Sequence, residues 1–288
     1  MSRFFCDTNG EILYTRFDEL GVECIKMPYT VNGEEMFYDL GRETDNKKFF
    51  DDMRGGAYVK TQALNEANYI DYFEPVLAGG EDIIYVHFSR EMSGTFNSMD
   101  SAIVKLKEKY PERKITTVDT LNISLGAGMV MYYAAKLHND GASDEEVVKF
   151  VENFRKRVKV YFTVGDLGYL KRGGRLSAFK AMMGTIFNLK PIITTSPEGK
   201  LVNILNAKGR KKALHTLVGY LESDGIDTSY PVALIDGDSD EDAKMTIELI
   251  KEKYPDVEIW AQLVGPVIGC HCGPDTIGMI FVKKESDA

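Results

Sequence analysis

Ser93, Gly94 and Thr95 set two hydroxyls and a glycine at the start of a predicted helix, a combination suited to holding an anion. Upstream, Ile83 to Phe88 reads as a strand. Downstream, Phe96, Met99, Ile103, Leu106 and Tyr110 recur at intervals of three and four and predict a helix from Thr95 to Tyr110. The first turn of a helix carries unpaired backbone N–H groups and the positive end of the dipole, which favour negative charge. No lysine follows Gly94, as a phosphate-gripping loop would require, so the spot suits a carboxylate better than a triphosphate. A second reading uses Ser93 only as a helix cap, a common role for serine.

Three other segments have a similar character: Lys60-Thr61-Gln62 in a polar connection, YLKRGGRLS from Tyr169 to Ser177, and GPVIGCHCGP from Gly265 to Pro274. In the second, the glycine pair ends a helix, and Lys171, Arg172 and Arg175 concentrate positive charge. Arg175 reads either as a tie onto nearby carbonyls or as a ligand or partner contact. In the third, the glycines and prolines predict an irregular loop holding His271. That histidine reads as a satisfied buried ring, a donor to an anion, or a base acting on Ser93. Cys270-His271-Cys272 is not read as a metal site, because alternate residues of an extended chain point opposite ways and no second ligand pair at zinc spacing exists. No nucleophile elbow or phosphate loop occurs, and Gly126-Ala127-Gly128 lacks the third glycine of a dinucleotide fingerprint.

The elements that position these residues alternate through the first half: strand Ile83 to Phe88, helix Thr95 to Tyr110, strand Ile115 to Val118, and helices Ser124 to Leu137 and Ser143 to Arg157, with a Ser143/Glu146 capping box. This order predicts βαβ units, a parallel sheet, and a ligand at the carboxyl ends of its strands. From Val158 to Val164 the pattern alternates strictly, and a domain boundary is placed there, giving domains 1–157 and 158–288. The second region reads as a helix from Ala178 to Asn188, a hairpin Pro191 to Thr195 and Leu201 to Leu205, and then helix Lys211 to Leu221. Strand Val232 to Asp236, helix Asp240 to Tyr254 and strands Val257 to Leu263 and Met279 to Lys283 complete it. A mixed sheet follows from that order.

With 288 residues, 44% hydrophobic and 27% charged, the chain can bury one large or two ordinary cores. A net charge of −9 argues against nucleic acid or anionic membrane as partner. The sequence shows no signal-like start and no apolar run near the roughly 18 residues of a membrane span. Four cysteines make no disulfide framework for this length, and a cytoplasmic location is expected.

Asp7, Thr61, Met92 to Thr95, YLKRGGRLS, Asn188 to Ile192, Lys208 to Ala213 and GPVIGCHCGP, taken in order, resemble the DegV family of bacterial fatty-acid-binding proteins. The resemblance implies a Rossmann-like parallel-sheet domain, a second α/β domain, and one long-chain fatty acid buried between them. It further implies a non-catalytic binding subunit with no cofactor, which hands its acid to a separate dihydroxyacetone-kinase-like protein for conversion to an acyl phosphate. Carried over to this sequence, Ser93 and Thr61 look like the carboxylate-holding hydroxyls, Gly94 and Thr95 complete their turn, and His271 looks like the headgroup histidine. Arg172, Arg175 and Arg210 lie in segments where kinase contact is implied. The sequence departs from the family at Cys6-Asp7-Thr8, where Thr-Asp-Ser is usual, and at Gln62, Arg90, Cys272 and Asp275.

Met182, Met183, Ile186 and Phe187 of the predicted 178–188 helix cover more than one core-facing stripe and are expected to wall the acyl tunnel. Two rival readings remain: an acyl hydrolase or transferase with Ser93 as nucleophile, His271 as base and Asp7 as orienter, and a lipid-sensing module without a kinase.

Overall fold

Four parallel strands form the first sheet of the structure, a computed structural model that describes residues 2–175 and 189–285. They are β1 (Arg3–Asp7), β2 (Glu23–Ile25), β6 (Ile83–His87) and β7 (Ile115–Asp119), in the order β2-β1-β6-β7. β6, Ile-Ile-Tyr-Val-His, is buried throughout, as a parallel strand covered on both faces requires. The helices of this half are α1 (Tyr14–Leu20), α2 (Asn46–Arg54), α3 (Glu66–Ala78), α4 (Thr95–Lys109), α5 (Ser124–Asn139) and α6 (Asp144–Phe154). The capping box at Ser143 and Glu146 starts α6 as its sequence predicts.

A small antiparallel sheet, ordered β4-β3-β5, joins β3 (Pro28–Val31), β4 (Glu34–Phe37) and β5 (Val59–Thr61). It corrects the expectation that Thr61 lies in a polar connection. Thr61 is the last residue of β5, opposite Tyr29 of β3. Three residues are too few to show alternation, so β5 is a strand because of its partner.

The second sheet is mixed and six-stranded, in the order β10-β9-β8-β13-β11-β12. Its strands are β8 (Val158–Thr163), β9 (Leu189–Thr195), β10 (Leu201–Lys208), β11 (Val232–Asp236), β12 (Ile259–Leu263) and β13 (Ile277–Val282). The predicted hairpin is the antiparallel pair β9–β10, bulged between Asn203 and Leu205. The helices here are α7 (Leu167–Arg172), α8 (Arg210–Ser223), α9 (Asp240–Lys253) and α10 (Pro266–Cys272). The architecture is therefore α/β, a parallel sheet plus a mixed sheet. The predicted helix at 178–188, with Met182, Met183, Ile186 and Phe187, lies outside the described residues.

α5 is one of the contacts between the two halves, and its small residues make that possible. A methyl at Gly128 would stand 2.0 Å from the Gly10 carbonyl oxygen, and one at Gly126 would stand 2.3 Å from Val160 of β8. Gly126-Ala127-Gly128 is thus a packing device rather than a nucleotide loop. One apolar core runs from Phe5 and Ile84 of the first sheet through Met129 and Val130 of α5 to Val160 and Phe162 of β8. A second core lies between α8, α9 and the far face of the mixed sheet.

Candidate functional site

β6 delivers the chain to a 3-10 turn, Arg90–Met92, after which Ser93 is extended and Gly94 caps α4. The Ser93 hydroxyl accepts the Thr95 N–H at 3.2 Å. The N-cap is thus Gly94, not Ser93 as the second reading has it: Ser93 holds one first-turn N–H from outside the helix, and its own O–H remains available to donate. The Thr95 hydroxyl is engaged with Tyr69 at 3.0 Å and the Leu64 carbonyl at 3.4 Å.

His271 is not in an irregular loop. It belongs to α10, a seven-residue helix begun by Pro266 and ended by Gly273 at φ 73. The glycines that suggest a loop are sites of close approach: a methyl at Gly269 would stand 2.7 Å from Phe49, and one at Gly265 would stand 2.4 Å from Tyr38. Cys270-His271-Cys272 is correspondingly helical, not extended, and burial pushes both thiols up to about 12. No cluster of three His, Cys, Asp or Glu suited to a metal occurs among the described residues.

Thr61 Oγ1 meets His271 Nε2 at 3.0 Å, joining β5 to α10. Burial, followed by the charge of Arg175, pushes His271 down to about 3, so the ring is neutral at physiological pH. Its Nδ1 is buried and has no hydrogen-bond partner among the described residues. Above the ring lies Gly173, where a methyl would come within 2.2 Å of Nδ1. The Gly173-Gly174 pair ends α7 as predicted, with Gly174 at φ 72, and turns Arg175 inward. The guanidinium donates to the carbonyls of Gly173 at 2.5 Å and Met92 at 2.6 Å, and burial lowers its pKa. Among the described residues no carboxylate pairs with it.

These groups line one cavity. Thr61, Ser93, Thr95, Arg175 and His271 supply its polar part, and Met27, Phe88, Met92, Ile123, Val160, Phe162, Leu170 and Ile235 supply much of the apolar part. All the space between these lining atoms, the open mouth and adjoining solvent included, is about 950 Å³. Outside it, one recess shares Thr61, Arg175 and His271 and adds Lys60 and Arg172; another shares Met92, Ser93 and Arg175 and adds Gly94 and Lys200. The polar end is therefore the end nearest solvent. Arg172 stacks on Tyr169 at 4.3 Å. Arg210 is bound to Asp242 at 2.7 Å and is not part of the cavity wall.

The apolar lining of β8, β11 and α10 carries no sequence signal of its own. Val160, Phe162 and Ile235 occupy ordinary inward strand positions, and only the packing of two sheets reveals that they face a space.

The serine hydrolase arrangement is not assembled. His271 Nε2 faces Thr61, and Ser93 Oγ faces the Thr95 N–H. The Asp7 carboxylate accepts from the N–H groups of Asn9 and Phe88 and the Tyr85 hydroxyl at 3.0, 3.1 and 3.0 Å. No helix among the described residues is long and apolar enough to cross a membrane.

Comparison with known proteins places relatives around this geometry. The family model described as "Uncharacterised protein, DegV family" matches residues 10–284. A DegV domain-containing protein of Clostridium perfringens is 34% identical over 284 residues, covering 98% of each protein. A solved DegV family protein from Thermus thermophilus, presented for its fatty acid binding, is 25% identical with a TM-score of 0.84, covering 98% of this chain and 99% of that one. DegV of Bacillus subtilis, a fatty acid binding protein, is 27% identical with a TM-score of 0.84 at the same coverage.

Proposed function

Because the chain belongs to the DegV family, we propose that it binds a long-chain fatty acid in this cavity, tail inward and carboxylate at the polar mouth. One observation carries the reading: two hydroxyls, a neutral imidazole and a guanidinium that has no carboxylate partner among the described residues converge at the solvent end of an otherwise apolar space. A fatty acid carboxylate supplies the missing negative charge, accepting from Ser93, Thr61 and Arg175, with His271 adding a donor through whichever nitrogen carries its proton.

Burying about fourteen methylenes at ~0.8 kcal/mol each contributes roughly 11 kcal/mol, against an association cost of about 4 to 15 kcal/mol. The tail therefore provides most of the affinity. Headgroup hydrogen bonds, at about 1.5 to 3 kcal/mol each, set orientation.

As proposed, the protein is a cytoplasmic carrier without catalysis of its own, whose lobes are residues 1–157 and 158–288. It presents the carboxylate to a partner kinase that brings ATP and magnesium and forms the acyl phosphate. The absence of a phosphate loop in the sequence supports that division of labour, as does the sharing of Ser93 and His271 between the cavity and outer recesses. Organic extraction of the purified protein followed by mass spectrometry is expected to yield one fatty acid per chain. An extract without lipid, together with no uptake of added acid, overturns the proposal. Acyl phosphate appearing only when a dihydroxyacetone-kinase-like protein, ATP and magnesium are all added supports the kinase step.

A further inference from the structure

β1 and β2 run in parallel with Cys6 directly opposite Cys24. Opposed residues of neighbouring strands project to one face of the sheet from backbones ~4.8 Å apart. That spacing lies inside the roughly 4.4 to 6.8 Å between Cα atoms that a disulfide spans. Both thiols are free. Cys6 is fully buried, donating to the Glu23 carbonyl at 3.7 Å, whereas Cys24 is only partly buried on the edge strand of its sheet. Cys24 is thus the more accessible residue of the two. Burial and the adjacent Cys24 thiol hold Cys6 well above the usual thiol pKa, so Cys24 is the entry point.

The two strands that carry the pair run on to the cavity. Asn9 follows Cys6 by three residues, Met27 follows Cys24 by three, and both line the cavity. The two strand ends are joined there by the Met27 N–H, which donates to Thr8 Oγ1 at 2.9 Å.

We propose that Cys6 and Cys24 are a redox modification site, forming a reversible cross-strand disulfide by exchange with a low-molecular-weight disulfide, and that this bond slows exchange of the cavity's ligand. The Cys24 thiolate attacks one sulfur of the oxidant, breaking its S–S bond and releasing one half as a thiolate that takes up a proton. Cys6 then attacks Cys24 Sγ in the mixed disulfide, its proton passing to the departing sulfur. The second half leaves as a thiol. Two protein thiols lose two electrons to become one disulfide, and the oxidant gains them to become two thiols. The slowing of ligand exchange rests on the fatty acid reading; the disulfide does not.

The test treats the reduced full-length protein with glutathione disulfide, then counts thiols in denaturant and maps the peptides. The four free thiols are expected to fall to two, with a Cys6–Cys24 peptide that dithiothreitol releases. Cys6→Ala is expected to stop at a mixed disulfide on Cys24, and Cys24→Ala to keep its remaining thiols. A mixed disulfide that persists on Cys24 in the parent protein, or consumption of Cys270 or Cys272 instead, overturns the site. Release of a fluorescent fatty acid is expected to be about fivefold slower from the linked protein. Unchanged release overturns the coupling to the cavity. Thiol counting needs no lipid, so a protein that binds no fatty acid defeats the functional reading and leaves the disulfide result standing.

Discussion

The buried polar cluster around Asp7 and the one around His271 differ in what the protein leaves undone. Asp7 has three donors on its carboxylate, two from the backbone and one from Tyr85. Among the described residues His271 has Thr61 on one nitrogen and nothing on the other, and the arginine beside it has no carboxylate partner. Buried polar groups are normally satisfied, so saturation marks a fastening and shortage marks a seat for something else. Asp7, which the sequence offered as a catalytic orienter, is the fastening.

The comparison predicts different failures. Asp7→Ala leaves two backbone N–H groups and a tyrosine hydroxyl without their acceptor, and is expected to cost about 3 kcal/mol of folding stability in urea titrations. A variant as stable as the parent breaks the distinction. Ser93→Ala with Thr61→Ala is expected to melt near the parent temperature while losing affinity for a fluorescent fatty acid about a hundredfold, from two hydrogen bonds to a charge. Parent-like affinity in that double variant removes both residues from the headgroup site. Gly173→Ala drives a methyl towards His271 Nδ1 and is expected to weaken binding about tenfold, with little change in the Asp7 cluster by tyrosine and amide NMR.

The smallest effect is in pH. Burial pushes Asp7 up to about 7, so between pH 4 and 7 the folded state holds a proton that the unfolded state has lost, and this group's stabilisation falls as pH rises. His271, pushed down to about 3, does the reverse: between pH 6.5 and 3 the unfolded state holds the extra proton, and stability is lost as pH falls. Asp7→Asn and His271→Gln are therefore expected to change the slope of stability against pH in opposite directions over pH 4 to 6.5. Bound carboxylate also raises the His271 pKa, which imidazole NMR with and without lipid can read. Slopes that change in the same direction contradict the pairing.

Much of this was legible in the sequence, and the gaps have physical causes. The strand at Ile83, the helix from Thr95, the Ser143 capping box and the β9–β10 hairpin each carry a local signal several residues long. Thr61 and His271 stand out in the sequence as residue types in polar or glycine-marked segments, but their elements do not. β5 has three residues and exists through β3, while α10 hides behind glycines whose purpose is to admit Phe49 and Tyr38. Arg175 could be read two ways because it does two things, tying down the carbonyls of Gly173 and Met92 while facing the cavity.

The Thr61–His271 contact closes a separation of 210 residues. During synthesis the segment bearing Ser93 and β5 leaves the ribosome long before α10 exists, so the cavity, whose lining includes Val160, Ile235 and Val267, is completed only when the chain is nearly finished. Under the proposed function, loading with lipid is then a post-release event, and any aggregation hazard from the unfinished fold belongs to the interval before it.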